Sequence, residues 1–271
     1  MQRLRIAPAL LVVGLAACQT RTVSTGPSPL SGDSTRRIVS APADVVPTNR
    51  SLQLLVVVTD DWTAVPGVMR RYERDGVRAS WRAVGSEVPV VVGASGLGWG
   101  YGLHGVGSPG EPGPVKREGD NRSPAGVFRL SSTFGYAPRN SVSWIEMPYE
   151  QATDAYKCVD DPASLHYNQM LFRDRVSRID WRSAEDMHRP DSLYRLGVVV
   201  EHNANGQEIG GGSCIFLHIW PGPEGNTSGC TAFGSSAMLE VLAWLKPESL
   251  PILVQLPRDE YERLRGSWAL P

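Results

Sequence analysis

The stretch Leu52-Gln53-Leu54-Leu55-Val56-Val57-Val58-Thr59 limits the architecture most sharply. A short apolar run rich in β-branched residues reads as a buried strand. Val68 to Glu73 predicts a second strand, Asp75-Gly76 a hairpin turn into a strand over 77–84, and Val88 to Val92 another. Strands are also predicted at Val127 to Leu130, Leu196 to His202, the segment ending near His218, and Ile252 to Leu256. Helical signals are few. Ser183 with Asp186 predicts a helix start before Arg189-Pro190. Ser235 or Ser236 is placed to cap a helix with Met238, Leu242 and Leu245 on one stripe. Pro257-Arg258-Asp259-Glu260 opens a short terminal helix. The expectation is a mainly β fold with short helices.

Between these runs lie two long irregular stretches. Gly93 to Gly119 carries ten glycines and three prolines, so it is loop, and His104 within it is expected to be a polar loop residue. Residues 136–195 are polar and aromatic, with Tyr149, Tyr156, Tyr167 and Trp181. An insertion of that length and aromatic content is expected to fold as cover over a cleft. The adjacent Asp160 and Asp161 are expected to serve a turn or cap.

The 271 residues carry a formal charge of −1 and no block of Lys and Arg, which argues against nucleic acid as a partner. Arg3 and Arg5, an apolar run from Ile6 to Ala17, and Leu15-Ala16-Ala17-Cys18 form an export signal. The small residues directly before Cys18 resemble the lipobox of bacterial lipoproteins. That resemblance implies cleavage after residue 17, acylation of Cys18, and a lipid anchor at the periplasmic face of the envelope, with sorting to the outer membrane. Residues 18–50 then read as a flexible tether and 51–271 as the folded domain.

The chemistry converges on Cys214 to Ala232. Alternation places Ile215, Leu217 and Ile219 on one face of a strand and Cys214, Phe216, His218 and Trp220 on the other. The Gly- and Pro-rich loop that follows can return Cys230 to the side of His218, and a thiol beside an imidazole is expected to form the thiolate–imidazolium pair that cysteine acyl-transfer enzymes use. Gly229 leaves room for a carbonyl oxygen to approach backbone N–H groups, with Ser228 and Thr231 in support. Thr227, Trp220, His202 and Asn203 are candidates for binding substrate; His202 and Asn203 fit a buried polar network equally well. With Cys18 and Cys230 assigned, Cys158 and Cys214 remain, as a disulfide in an oxidising compartment or as two buried thiols. No H-E-x-x-H or C-x-x-C spacing supports a metal, and no cofactor is expected.

Lys116-Arg117-Glu118-Gly119-Asp120-Asn121-Arg122-Ser123-Pro124-Ala125-Gly126-Val127-Phe128 fits the pattern K-x-x-G-D-x-x-[ST]-P-x-G-x-F. Followed downstream by His218 and Thr227-Ser228-Gly229-Cys230, it resembles the L,D-transpeptidase catalytic domain of the YkuD type, over about Leu52 to Leu256. The resemblance implies a β-sandwich-like fold, Cys230 as nucleophile, His218 as base oriented by a backbone carbonyl, and peptidoglycan stem peptides as substrate. It also implies cleavage of a tetrapeptide stem after its third residue and transfer to the side-chain amine of another stem. In this chain Cys230 follows His218 by 12 residues, closer than the family's usual spacing, and Ser228 stands where the family usually has histidine. Two other outcomes are open to the same sequence. One is an L,D-carboxypeptidase or amidase with water as acceptor. The other is a non-catalytic lipoprotein that only binds peptidoglycan.

Overall fold

A computed structural model describes residues 46–106 and 112–271. β1 (Gln53–Thr59) lies at the middle of its sheet, with Leu54, Leu55 and Val57 fully buried. It runs antiparallel to β2 (Pro66–Glu73) and parallel to the late strand Ile252–Pro257. A strand covered on both faces needs apolar residues at consecutive positions, which is why this run does not alternate.

Strand β3 (Arg82–Val91) is one element where two were expected, and its connection from β2 spans 74–81 instead of a tight turn at Asp75-Gly76. Side-chain packing explains the wider loop: the Arg74 guanidinium stacks 4.1 Å from the Trp81 ring, and Trp81 donates to Ala269 O. The two predicted strands merge through an irregularity between the Met69–Val88 and Arg71–Val84 pairs. Gly85, at φ 69, supplies the left-handed residue that this bulge needs.

The Gly-rich stretch contains three short strands, β4 (Leu97–Trp99), β5 (Tyr101–Gly102) and β6 (Gly105–Val106). β7 (Ser123–Gly135) begins four residues earlier than the predicted Val127, so Pro124 and Gly126 lie within the strand. Gly126, at φ 135, is needed because a Cβ there would meet the His104 ring at 2.0 Å. The insertion supplies β8 (Tyr149–Gln151), β9 (Tyr156–Cys158), β10 (Met170–Phe172) and β11 (Glu185–Asp186). The helix expected near Ser183 is absent. Glu185 and Asp186 instead pair with Cys158 and Lys157, and Lys157 forms an ion pair with Asp186.

The remaining elements are β12 (Leu196–Val200), β13 (Phe216–Ile219), β14 (Thr231–Phe233), α1 (Ser235–Trp244), β15 (Ile252–Pro257) and α2 (Arg258–Leu264). Gly234 and Pro257 occupy the N-cap positions, so neither Ser235 nor Ser236 caps α1 and Pro257 precedes α2. Strand order is β12-β13-β14-β3-β2-β1-β15-β7, and β7 pairs with β12 as well. The pairings therefore close on themselves: residues 126–129 of β7 meet β15 and residues 130–135 meet β12. The fold is mainly β, as expected. Its main core lies inside this ring, with Met238, Val241 and Leu242 of α1 packed against it.

A second apolar cluster forms where the insertion covers the outer face of β13. It contains Phe134, Tyr156, Cys158, Met187, Tyr194, Cys214, Phe216 and Cys230. Cys158 and Cys214 are joined by a disulfide, Cα atoms 5.9 Å apart, which fastens β9 to the residues entering β13. The folded part also begins earlier than residue 51. Thr48 is buried, its hydroxyl donates to Trp268 O at 2.6 Å, and Arg74 donates to Thr48 O and Ser51 O. Residues 1–17, Cys18 and most of the expected tether lie outside the described residues.

Candidate active site around Cys230 and His218

The alternation along β13 sorts side chains between the two clusters. Ile215, Leu217 and Ile219 enter the main core, while Cys214 and Phe216 enter the second. β14 runs parallel to β13 with Leu217 opposite Thr231 and His218 opposite Ala232. That register brings Cys230 beside Phe216, and the Phe216 N–H donates to Cys230 Sγ at 3.3 Å. The thiol points at Cys214 O, 3.5 Å away. His218 and Cys230 line one cavity of about 440 Å³, together with Lys116, Glu185, Arg189, Tyr194, Trp220, Thr227, Ser228 and Gly229. A cavity of similar volume, about 450 Å³, lies beside Arg50, Arg129 and Leu250, and its lining includes no Cys, His, Asp or Glu.

The His218 Nδ1–H donates to Ile219 O at 2.9 Å. This bond fixes the tautomer and leaves Nε2 with a free lone pair, the form a general base requires. Burial pushes the imidazole down to about 4. Burial likewise pushes the Cys230 thiol up to about 12, an effect the nearby Glu185 adds to. The Phe216 N–H, the Tyr194 hydroxyl and Lys116 act in the opposite direction. The resting site thus favours a neutral thiol and a neutral imidazole, not the preformed ion pair expected from sequence. Desolvation of both groups is the reason.

Two hydroxyls, one from β7 and one from the loop just ahead of Cys230, hold the backbone of Cys230. Ser123 Oγ donates to Cys230 O at 2.7 Å and accepts from Gly93 N at 2.9 Å. Thr227 Oγ1 donates to the same carbonyl at 2.6 Å and accepts from Gly229 N. Thr227 therefore lines the cavity while its hydroxyl is committed to Cys230. Gly229 adopts φ 155, and a Cβ there would meet Arg122 O at 3.1 Å. Within the K-x-x-G-D segment, Lys116 Nζ donates to Asp120 Oδ1 at 2.6 Å, and Asp120 accepts the N–H groups of Arg117 and Arg122. Arg122 in turn donates to Ser95 O and Leu97 O. Lys116, Gly119 and Asn121 of this segment line the cavity.

Three candidate residues are not brought there. Thr231 faces away, and its hydroxyl donates to Gln255 Oε1, whose amide donates to Pro124 O. Adjacent strand residues point to opposite faces, so Cys230 and Thr231 cannot both serve the cavity. His202 is buried apart from it, accepting from Tyr101 N and bonding Gly211 O. Asn203 ties its own loop, donating to Glu208 O and Gly212 O and accepting from Glu208 N. Both belong to a polar frame and not to the lining of the Cys230–His218 cavity. His104 is half-buried, its ring bonded to Gly100 O and accepting from Val127 N. Asp161 accepts from Ala163 N and Arg182, while Asp160 lines the cavity and accepts from the Ser183 hydroxyl.

The lining also contains residues that sequence reasoning did not single out: Lys116, Glu185, Arg189 and Tyr194. Lys116 was visible as the first residue of the motif. Glu185, Arg189 and Tyr194 come from the insertion, where neither periodicity nor motif marked them. Among the described residues no group of three or more His, Cys, Asp or Glu side chains is arranged to hold a metal ion.

No curated protein and no solved structure matches the chain. A family model does: that of the YkuD L,D-transpeptidase catalytic domain, over residues 65–254. This span runs from the start of β2 into β15 and includes both motifs, the insertion, and the cavity with Cys230 and His218. The chain belongs to the YkuD family of L,D-transpeptidase catalytic domains.

Proposed function

We propose that the chain is a peptidoglycan L,D-transpeptidase that crosslinks peptide stems through an acyl-enzyme on Cys230. The observation that carries this reading is the shared cavity of Cys230 and His218, with Nε2 kept as acceptor by the Ile219 carbonyl. His218 Nε2 takes the thiol proton as the scissile carbonyl arrives, and Sγ attacks that carbonyl. The Cys230 backbone N–H beside Gly229 receives the developing oxyanion. The proton on His218 passes to the departing amine, releasing D-Ala and leaving a thioester. A side-chain amine of a second stem then attacks the thioester, gives its proton to His218, and regenerates the thiol. A neutral resting pair suits this sequence, because the thiol is deprotonated only when an electrophile is in place.

The proposal includes a lipid anchor at Cys18 on the periplasmic face of the envelope, sorted to the outer membrane. Incubating the purified domain with a stem tetrapeptide tests the reaction. Crosslinked dimer that disappears in Cys230→Ser is the expected result. Tripeptide without dimer would assign a carboxypeptidase, and no product from either stem would leave a binding protein.

A further inference from the structure

Tyr194 stands at the end of the insertion, just ahead of β12, with 4% of its surface exposed. Its ring meets His218 edge-on at 5.0 Å and Phe216 at 5.7 Å. Its hydroxyl donates to Glu185 Oε1. The Arg189 guanidinium lies 5.0 Å from the same ring, pairs with Asp191, and comes within 3.6 Å of Glu185. Tyr194 also packs in one cluster with Phe216 and Cys230, and it lines the cavity with Glu185, His218 and Cys230. One phenol thus packs on the candidate base and shares a cavity with the sulfur.

Packing accounts for the ring but not for the hydroxyl. Phenylalanine would make the same contacts with His218 and Phe216, and it would not bring a carboxylate into an apolar cluster at a desolvation cost. A thiolate formed at Cys230 needs donors, and the Phe216 N–H supplies only one. Tyr194 and Glu185 act on the sulfur in opposite directions, the hydroxyl favouring the thiolate and the carboxylate opposing it.

We propose that Tyr194 is a further catalytic residue whose hydroxyl, held by Glu185 at rest, turns to Cys230 Sγ and donates to the thiolate as it forms. Glu185 is its positioning residue and restrains the sulfur between turnovers. The inference rests on Cys230 being the nucleophile. The other charged or titratable groups around the pair are Lys116, Glu118, Asp160 and Arg189 in the cavity wall, and Asp191 acting on His218.

The test is the rate of Cys230 alkylation by iodoacetamide, read by intact mass across pH 7–10, in wild type, Tyr194→Phe and Glu185→Gln. Thermal melts confirm that each variant is folded. Loss of a hydrogen bond to a charged sulfur predicts alkylation about ten- to hundredfold slower in Tyr194→Phe. Glu185→Gln removes the opposing charge and is expected to react faster than wild type. With peptide substrate, Tyr194→Phe is expected to lower kcat while KM stays unchanged. Alkylation of Tyr194→Phe at the wild-type rate would overturn the proposal, and so would slowing of both variants to the same degree. Alkylation reads the thiol alone, so either result leaves the assignment of Cys230 to be judged separately, by whether Cys230→Ser retains peptide turnover.

Discussion

The Ser123 hydroxyl donates to the Cys230 carbonyl across 2.7 Å, joining two motifs 107 residues apart in the chain. The same oxygen accepts from Gly93 N, so one small side chain ties three segments of the chain at the candidate nucleophile. Ser123→Ala leaves the Gly93 N–H buried without that acceptor, and Thr227 as the remaining hydroxyl on the Cys230 carbonyl. A loss of about 1–3 kcal/mol in stability is expected from denaturant unfolding. Turnover should fall further than stability explains, since Sγ would no longer be held in register. Unchanged turnover would show that the bond is dispensable for positioning.

The Cys158–Cys214 disulfide closes a loop over a sequence separation of 56, and the Cys214 carbonyl faces Cys230 Sγ. Replacing both cysteines by alanine is expected to cost about 2–4 kcal/mol. It should also loosen the insertion that brings Glu185 and Tyr194 to the cavity. Hydrogen exchange at residues 156–158 and 185–195 would report the loosening, and native protection there would contradict it.

Acid should destabilise the fold in a defined window. Burial holds His104 and His218 down to about 4 and His202 down to about 3, against an ordinary value of 6.5. Each is uncharged when folded and gains a proton on unfolding below 6.5. The stability they lend is therefore intact above pH 6.5 and is lost as pH falls through 4. A fall in Tm of about 10 °C or more between pH 7 and pH 4.5 is expected. A flat profile over that range would mean that these imidazoles are solvated.

Local pattern carried part of this account, and tertiary placement the rest. Alternation over residues 215–219 was legible, because period two assigns faces without knowing what covers them. It also implied that Thr231 and Cys230 must face apart, a consequence visible only once β14 was known to begin at Thr231. Asp75-Gly76 signalled a tight turn into a strand from Val77, whereas the wide 74–81 loop depends on Arg74 meeting Trp81, which spacing does not reveal. His202 carried the same local marks as His218, a histidine close after an apolar run. Only the fold shows that His202 sits among Phe128, Tyr101 and Gly211 while His218 faces the cavity. Glu185 and Tyr194 are nine residues apart in an aperiodic segment, and their hydrogen bond depends on β11 pairing with β9.

His218 should matter to chemistry more than to binding. With Nδ1 bonded to Ile219 O, His218→Gln can keep a donor in place but offers no basic nitrogen. Single-turnover acylation by a stem tetrapeptide is expected to slow about 10²- to 10⁴-fold, with little change in substrate affinity. Wild-type acylation in this variant would assign the base elsewhere in the cavity.

The most direct measurement is the intact mass of the protein quenched during turnover of a stem tetrapeptide, followed by peptide mapping. The account predicts a tripeptide acyl adduct on Cys230, formed with release of one D-Ala, cleared by added acceptor amine, and absent in Cys230→Ser. Turnover with no adduct at any time, or an adduct that persists in Cys230→Ser, would contradict it.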